Sequence, residues 1–245
     1  MVKVDIELDD IALAVRYYPA DRAGRAPAVI MLHGWSWPDN DPSAGLASVA
    51  LVFQRAGYSV LVPSMRGWPP TGGVDDCAGK QVDDVLHAIE WLGRQPGVDA
   101  DLIFLVGFSQ GGQVALLAAT LDAPVQAVAA FAPVVDPGRW GDETNINGIR
   151  DYVVEECGGP AGWRTRNVMS RADRLQLPLM LVHGDADRRV PTRQSIGLYR
   201  KLLELDRPVQ LKLIRAAEHD QDAVLQPQLA IDFFRSITGD GNGQE

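Results

Sequence analysis

Apolar and polar residues alternate in two short segments at the start of the chain, Lys3–Leu8 and Ile11–Tyr18. That period of two marks half-buried strands, and their spacing predicts an antiparallel hairpin at a sheet edge. The rhythm then changes. Near-continuous apolar runs at Ala28–Leu32, Tyr58–Val62, Leu102–Val106, Val125–Phe131, Leu179–Val182 and Val209–Ile214 read as strands buried on both faces. Between them Val82, Val85, Leu86, Ile89 and Leu92 recur at helical spacing. Gln113–Leu121 predicts a buried small-residue helix. Ser195, Leu198, Leu202 and Leu205 mark another, and Val224–Phe234 the last. Such alternation predicts an α/β fold, a mostly parallel central sheet flanked by helices with the hairpin at its edge. No repeat or linker divides it, so one domain is expected over 1–238, with a frayed tail over 239–245.

One stretch breaks the pattern. Roughly forty residues separate the strand ending near Pro133 from the one starting at Leu179, long for such a connection. They carry Trp140, Tyr152 and Trp163 and a candidate helix over Ile146–Cys157. An insertion there sits above the carboxyl ends of the strands, where open α/β sheets bind ligands. We read 137–172 as a small cap, with these three aromatics as substrate-binding residues. The alternative is a surface excursion that the same aromatics anchor to the core.

Composition narrows the class. Hydrophobic residues make up 46% of the 245, ample for a core without disulfides or metal. A net charge of -9 argues against nucleic acid and anionic membrane as partners. Cys77 and Cys157 are too few for a disulfide framework or a four-cysteine zinc site, and free thiols are expected over a single bridge. The first ten residues lack a signal peptide's apolar core and cleavage site, and no apolar run is long enough to span a membrane. A cytoplasmic protein is the expectation.

The chemistry is concentrated in Gly107-Phe-Ser-Gln-Gly-Gly112, which follows an apolar strand and precedes a helix. This is the context of a G-x-S-x-G nucleophile elbow, in which a strained turn presents a serine beside a helix N-terminus. Ser109 is the candidate nucleophile. A serine hydroxyl needs a base, and the elbow arrangement orders its partners as serine, acid, histidine. Of His33, His87, His183 and His219, only His219 follows both the serine and an acid, just past the strand Val209–Ile214. His87 falls on the polar side of its helix, and His33 and His183 suit local backbone roles. Two aspartates of His183–Pro191 compete for the acid, and spacing favours Asp187 over Asp185. His183 and Asp185 as metal ligands lack a third partner.

A developing oxyanion needs two donors. The backbone N–H of Gln110, directly after the serine, is one. The other is expected from His33-Gly-Trp-Ser36, with Trp35 nominated and Gly34 permitting close approach.

Together Phe104–Gly112, His33-Gly34, His183–Pro191 and His219 resemble the α/β-hydrolase superfamily. Leu61–Gly67, Asp83-Asp84 with Ile89–Leu92, and His183–Pro191 look most like prolyl-oligopeptidase-type catalytic domains and dienelactone-hydrolase-like esterases. The resemblance implies an α/β-hydrolase fold, with Ser109, Asp187 and His219 as triad and Gln110 and Trp35 as oxyanion donors. Two departures matter. Gln110 stands where such peptidases usually have tyrosine, and His33-Gly34-Trp35 replaces a His-Gly-Gly loop. Dienelactone hydrolases use cysteine where this chain has Ser109. Only some twenty-six residues precede the first core strand, so no peptide-selecting propeller is expected. The favoured function is therefore a serine esterase acting on a small-molecule ester, with no cofactor. A peptidase or amidase with the same triad is the alternative, and a non-catalytic binder on this fold the second.

Overall fold

Strong cross-strand burial builds one eight-stranded sheet in the computed structural model, which describes residues 1–37, 39–155 and 157–239. The strands are β1 (Val2–Glu7), β2 (Ala12–Tyr18), β3 (Ala26–Leu32), β4 (Ser59–Pro63), β5 (Val98–Phe108), β6 (Ala127–Phe131), β7 (Leu179–Gly184) and β8 (Val209–Ile214). Their spatial order is β1-β2-β4-β3-β5-β6-β7-β8. β1 and β2 pair antiparallel, β2 meets β4 antiparallel, and every pairing from β4 to β8 is parallel. The hairpin and all six apolar runs of the sequence become strands within a few residues of their expected bounds.

Side chains of a strand alternate between faces, and the core divides accordingly. Val29, Met31, Val60, Val62, Phe104 and Val106 point to one face. There they meet Phe53 of helix α1 (Ala47–Arg55) and Phe234 of the C-terminal helix (Pro227–Thr238), and Phe104 stacks on Phe234 with ring centroids 4.4 Å apart. Ala28, Ile30, Leu32, Leu61, Ile103 and Leu105 point to the other face. It is covered by α2 (Lys80–Gly93), α3 (Gln110–Ala119) and α7 (Arg193–Glu204). The continuous apolar runs thus reflect burial on both sides.

From β3 the chain crosses to β4 on one side and β5 on the other. This reversal opens a crevice between the loop after β3 and the turn after β5, the usual ligand position in open α/β sheets. The long connection after β6 lies over that crevice as three short helices, α4 (Pro137–Glu143), α5 (Ile149–Glu155) and α6 (Gly159–Thr165), followed by a 3₁₀ stretch over Met169–Arg174. Only α5 falls where the sequence predicts a helix.

Two expectations need correction, and one helix is new. The expected last helix is two, α8 (Gln221–Val224) and α9 (Pro227–Thr238), because Pro227 has no N–H to continue a helix and instead opens α9. Helix α1 has no counterpart in the sequence reading. Cys77 and Cys157 are not free thiols but a disulfide that ties the loop after β4 to the cap. Eighty residues separate them, so only the fold reveals their proximity. The tail expected at 239–245 lies, from residue 240 onward, outside the described residues.

A cross-link spanning that many residues removes much loop entropy from the unfolded chain. Reduction of the native protein is expected to lower its unfolding free energy by about 2–4 kcal/mol in urea titrations. The Cys77→Ser/Cys157→Ser variant should start at that lower value and ignore reductant. Equal stability of oxidised and reduced native protein would contradict a structural bridge.

Candidate active site

The turn between β5 and α3 forces Ser109 to φ 56° and ψ −117°, a region that non-glycine residues rarely occupy. The neighbouring glycines allow it. A Cβ on Gly107 would lie 2.3 Å from the Gly111 carbonyl oxygen, and one on Gly111 would lie 2.3 Å from that of Leu32. The turn is also pinned by the Ser109 N–H, which donates to the Phe131 carbonyl at 2.8 Å. Ser109 Oγ emerges above the sheet, directly before the start of α3.

His219 reaches it from the loop after β8. Its Nε2 lies 3.0 Å from Ser109 Oγ, and its Nδ1 donates to Asp187 Oδ2 at 2.6 Å. Asp187 is buried in the loop after β7. Its Oδ1 accepts the backbone N–H groups of Arg189 and Val190, each at 2.9 Å. His183 Nε2 lies 3.2 Å from the same carboxylate while donating to the Val190 carbonyl at 2.8 Å. Its Nδ1 faces Ser195 Oγ at 2.7 Å, so both ring nitrogens are engaged within the protein. Burial alone would raise the Asp187 pKa. Hydrogen bonds from His183, His219 and the Val190 N–H reverse that and hold it well below the usual carboxylate range. Asp185 is exposed and instead accepts the Ala216 N–H, bracing the loop that carries His219. Asp187, not Asp185, therefore meets the histidine.

The loop after β3 is fixed through His33 and Trp68. His33 is buried, accepts the Met65 N–H at 2.9 Å through Nε2 and donates to the Gly34 carbonyl through Nδ1. Trp68 Nε1 donates to the Ser36 carbonyl at 2.9 Å. Gly34 packs so closely that a Cβ there would lie 3.1 Å from Ser109 Cβ. Trp35 follows it at the rim of the site, with its ring edge-on to Trp37 and Tyr152. Gln110 opens α3, where the first N–H groups of a helix have no intrahelical acceptor.

Ser109 and His219 lie at the junction of two cavities. One, of about 480 Å³, runs beneath the cap and is walled by Trp35, Val134, Trp140, Ile149, Tyr152 and Val190. The other, of about 820 Å³, is more open and polar, with Arg188, Arg189, Glu218 and Asp220 along it. Of the three aromatics of the cap, Trp140 and Tyr152 line the cavity that also reaches Ser109. Trp163 does not line either cavity. It packs against Gly138, within 2.9 Å of where a Cβ would be, and against the small apolar cluster that includes Cys157 and Trp140. Its bulk serves cap packing, a role that aromatic content alone cannot distinguish from substrate contact.

Sequence reasoning misses Asp75. Burial pushes its pKa up, against the pull of Tyr152, the Cys77 N–H, Gln110 and Gln81, all of which donate to it. It sits in Val74-Asp-Asp-Cys77, which carries no periodic or motif signal.

A strained serine elbow, a histidine and a buried aspartate arranged on this sheet define an α/β-hydrolase. The sequence profile of the prolyl oligopeptidase family (Peptidase_S9) matches residues 45–239. The chain is 29% identical over 185 residues to the uncharacterized peptidase YtmA of Bacillus subtilis, covering 68% of this chain and 69% of that protein. It is 33% identical over 172 residues to the polyketide transferase ATR5 of Stachybotrys chlorohalonatus, covering 65% of this chain and 55% of the relative. A solved Mycobacterium tuberculosis puromycin-hydrolyzing peptidase superimposes with a TM-score of 0.82 at 19% identity, over 97% of this chain and 39% of that one. The chain belongs to the prolyl oligopeptidase family of serine hydrolases. It spans about half the length of the fungal relative and well under half of the solved peptidase.

His33 supplies a pH test of this architecture. Burial lowers its pKa from 6.5 to about 4, so folding favours the neutral ring. The stability this contributes is complete above pH 6.5 and is lost as pH falls through 4, for a total of about 3 kcal/mol. Denaturant titrations from pH 7 to 4 should show this loss, and His33→Gln should lack that component. An identical slope in the variant would contradict a buried neutral His33.

Proposed function

We propose that this chain hydrolyses carboxylic esters through an acyl-enzyme on Ser109. The observation that carries the proposal is the hydrogen-bonded line Ser109–His219–Asp187 opening onto an apolar cavity. Ser109 Oγ attacks the ester carbonyl while His219 Nε2 takes its proton. Asp187 holds the ring in the tautomer with Nδ1 protonated and stabilises the imidazolium. The N–H groups of Gln110 and Trp35 receive the developing oxyanion. Collapse expels the alcohol, which takes the proton from His219. A water then attacks the acyl-enzyme, giving its proton to His219; the Ser109 Oγ–acyl bond breaks, Ser109 Oγ takes that proton back from His219, and the acid leaves.

The aromatic cavity under the cap suits the acyl half of the substrate, and the open polar side suits the leaving group. Among the described residues lining the apolar cavity, Arg189 is the one formally charged at neutral pH. A cation there does not anchor the free amino group of a peptide, which favours esters over aminopeptidase substrates. The relative named a polyketide transferase supports acyl transfer from a small molecule, and the relative named a peptidase supports the amide alternative on the same groups. Among the described residues no helix is long and apolar enough to cross a membrane. The Cys77–Cys157 bridge favours an oxidising compartment over the cytoplasm that the sequence suggests.

Ser109→Ala and His219→Ala should each lower turnover of p-nitrophenyl esters by about 10⁴–10⁶, and the double variant should be little worse. Asp187→Asn should cost about 10⁴, and Asp185→Asn far less. Independent, additive losses at Ser109 and His219 would refute a shared step.

The wall can be tested separately. Trp140→Ala and Tyr152→Ala should change the ranking of kcat/KM among acyl chain lengths by about 1–3 kcal/mol. Trp163→Ala should lower thermal stability and leave the ranking unchanged. A ranking altered by Trp163→Ala but not by the other two would overturn the assignment of the cavity wall.

A further inference from the structure

Asp75 gathers four donors from four parts of the molecule. Its Oδ1 accepts the Cys77 N–H of its own loop at 3.0 Å, Gln81 Nε2 of α2 at 2.9 Å, and Gln110 Nε2 of the elbow at 2.7 Å. Its Oδ2 accepts the hydroxyl of Tyr152 from the cap. Gln81 is itself held by the Arg66 carbonyl and the Ala78 N–H, so it is a fixed point rather than a mobile partner. The backbone of Asp75 is equally constrained, since a Cβ on Gly67 would lie 2.5 Å from its nitrogen.

The grip on Gln110 has a cost. Its amide nitrogen is turned to Asp75 and Gln81, which leaves its buried Oε1 with no partner. An orphaned buried acceptor gives up its hydration without a replacement hydrogen bond and is unfavourable. A penalty of this kind persists beside a nucleophile where the constraint that imposes it has a use. Gln110 is the residue whose N–H faces the oxyanion in the proposed reaction, and Tyr152 is part of the cavity wall.

We propose that Asp75 is a positioning residue for hydrolysis: by holding the side chains of Gln110 and Tyr152 at once, it sets the elbow donor and the acyl-cavity wall in register. The inference rests on the serine hydrolase reading and adds a residue to it. Asp75 acts by accepting hydrogen bonds. An asparagine at 75 can keep the oxygen at the Oδ1 position, and its amide can donate to a rotated Tyr152 hydroxyl. Alanine removes the acceptor that Gln81, Gln110 and Tyr152 share, and leaves the Gln110 amide with only its longer hydrogen bond to Gln81 Oε1.

The test is steady-state hydrolysis of a short-chain p-nitrophenyl ester by the full chain. Asp75→Ala should lower kcat about 10–100-fold, as small displacements of catalytic donors do, while KM changes less than about threefold. Asp75→Asn should recover most of that loss. Gln110→Met, which keeps the backbone donor and cuts the link from the other end, should lower kcat to a similar degree. It also keeps the test decisive if Asp75→Ala folds poorly. The Asp75→Ala/Gln110→Met double variant should be no slower than the slower single variant. A lowered melting temperature with unchanged kcat in Asp75→Ala, or unchanged kcat in Gln110→Met, would overturn the proposal. Native protein without Ser109-dependent hydrolysis would instead overturn the underlying hydrolase reading.

Discussion

Ser109 is held in a backbone conformation that costs about 1–3 kcal/mol, and the rest of the site depends on that constraint being imposed. The turn brings the start of α3 against the end of β3 so tightly that the backbones touch where side chains would be. Any larger residue at Gly107 or Gly111 would push strand and helix apart. The strain is borne by the sheet around it, since the Ser109 N–H is bonded to β6 and the strand before it is buried on both faces. In return the hydroxyl stands clear of the sheet, at a helix N-terminus whose donors and positive end favour negative charge.

Around that fixed point two kinds of support converge. Asp187 is embedded in hydrogen bonds from its own loop and from both histidines, so its charge and orientation are set before any substrate arrives. The cavity wall is supported from the opposite side. The disulfide Cys77–Cys157, the Asp75–Tyr152 hydrogen bond and the Arg166 donor to the Asp76 carbonyl all join the loop after β4 to the cap. The cap helices are too short to be stable alone, and these ties replace the packing that a longer helix would supply. The reversal of strand order between β3 and β5 places both supports over one crevice.

Much of this arrangement is legible in the sequence because it rests on local signals. Strands buried on both faces read as apolar runs, and the elbow needs glycine at fixed offsets, so the sheet and Ser109 emerge directly. His219 follows from chain order and Asp187 from its spacing in the loop after β7; the geometry places His219 between Asp187 and the serine. The rest depends on long-range proximity that no local pattern encodes. The pairing of Cys77 with Cys157 and the convergence on Asp75 each join segments distant along the chain. Trp140 and Trp163 look alike in sequence, yet one lines the cavity and the other does not, because Trp163 of α6 packs on Gly138 of α4. Helix α1 escapes because only Ala50 and Phe53 of it are fully buried, too sparse a stripe to show a period.

The proposed hydrolysis requires Ser109 to become covalently acylated. The most direct measurement is rapid acid quenching of the native protein with a slowly deacylating ester, followed by intact mass and peptide mapping. One added acyl group per chain is expected, on the peptide containing Ser109, formed before steady-state turnover and absent from Ser109→Ala. Full turnover with no acylated species, or acylation on another residue, would contradict it.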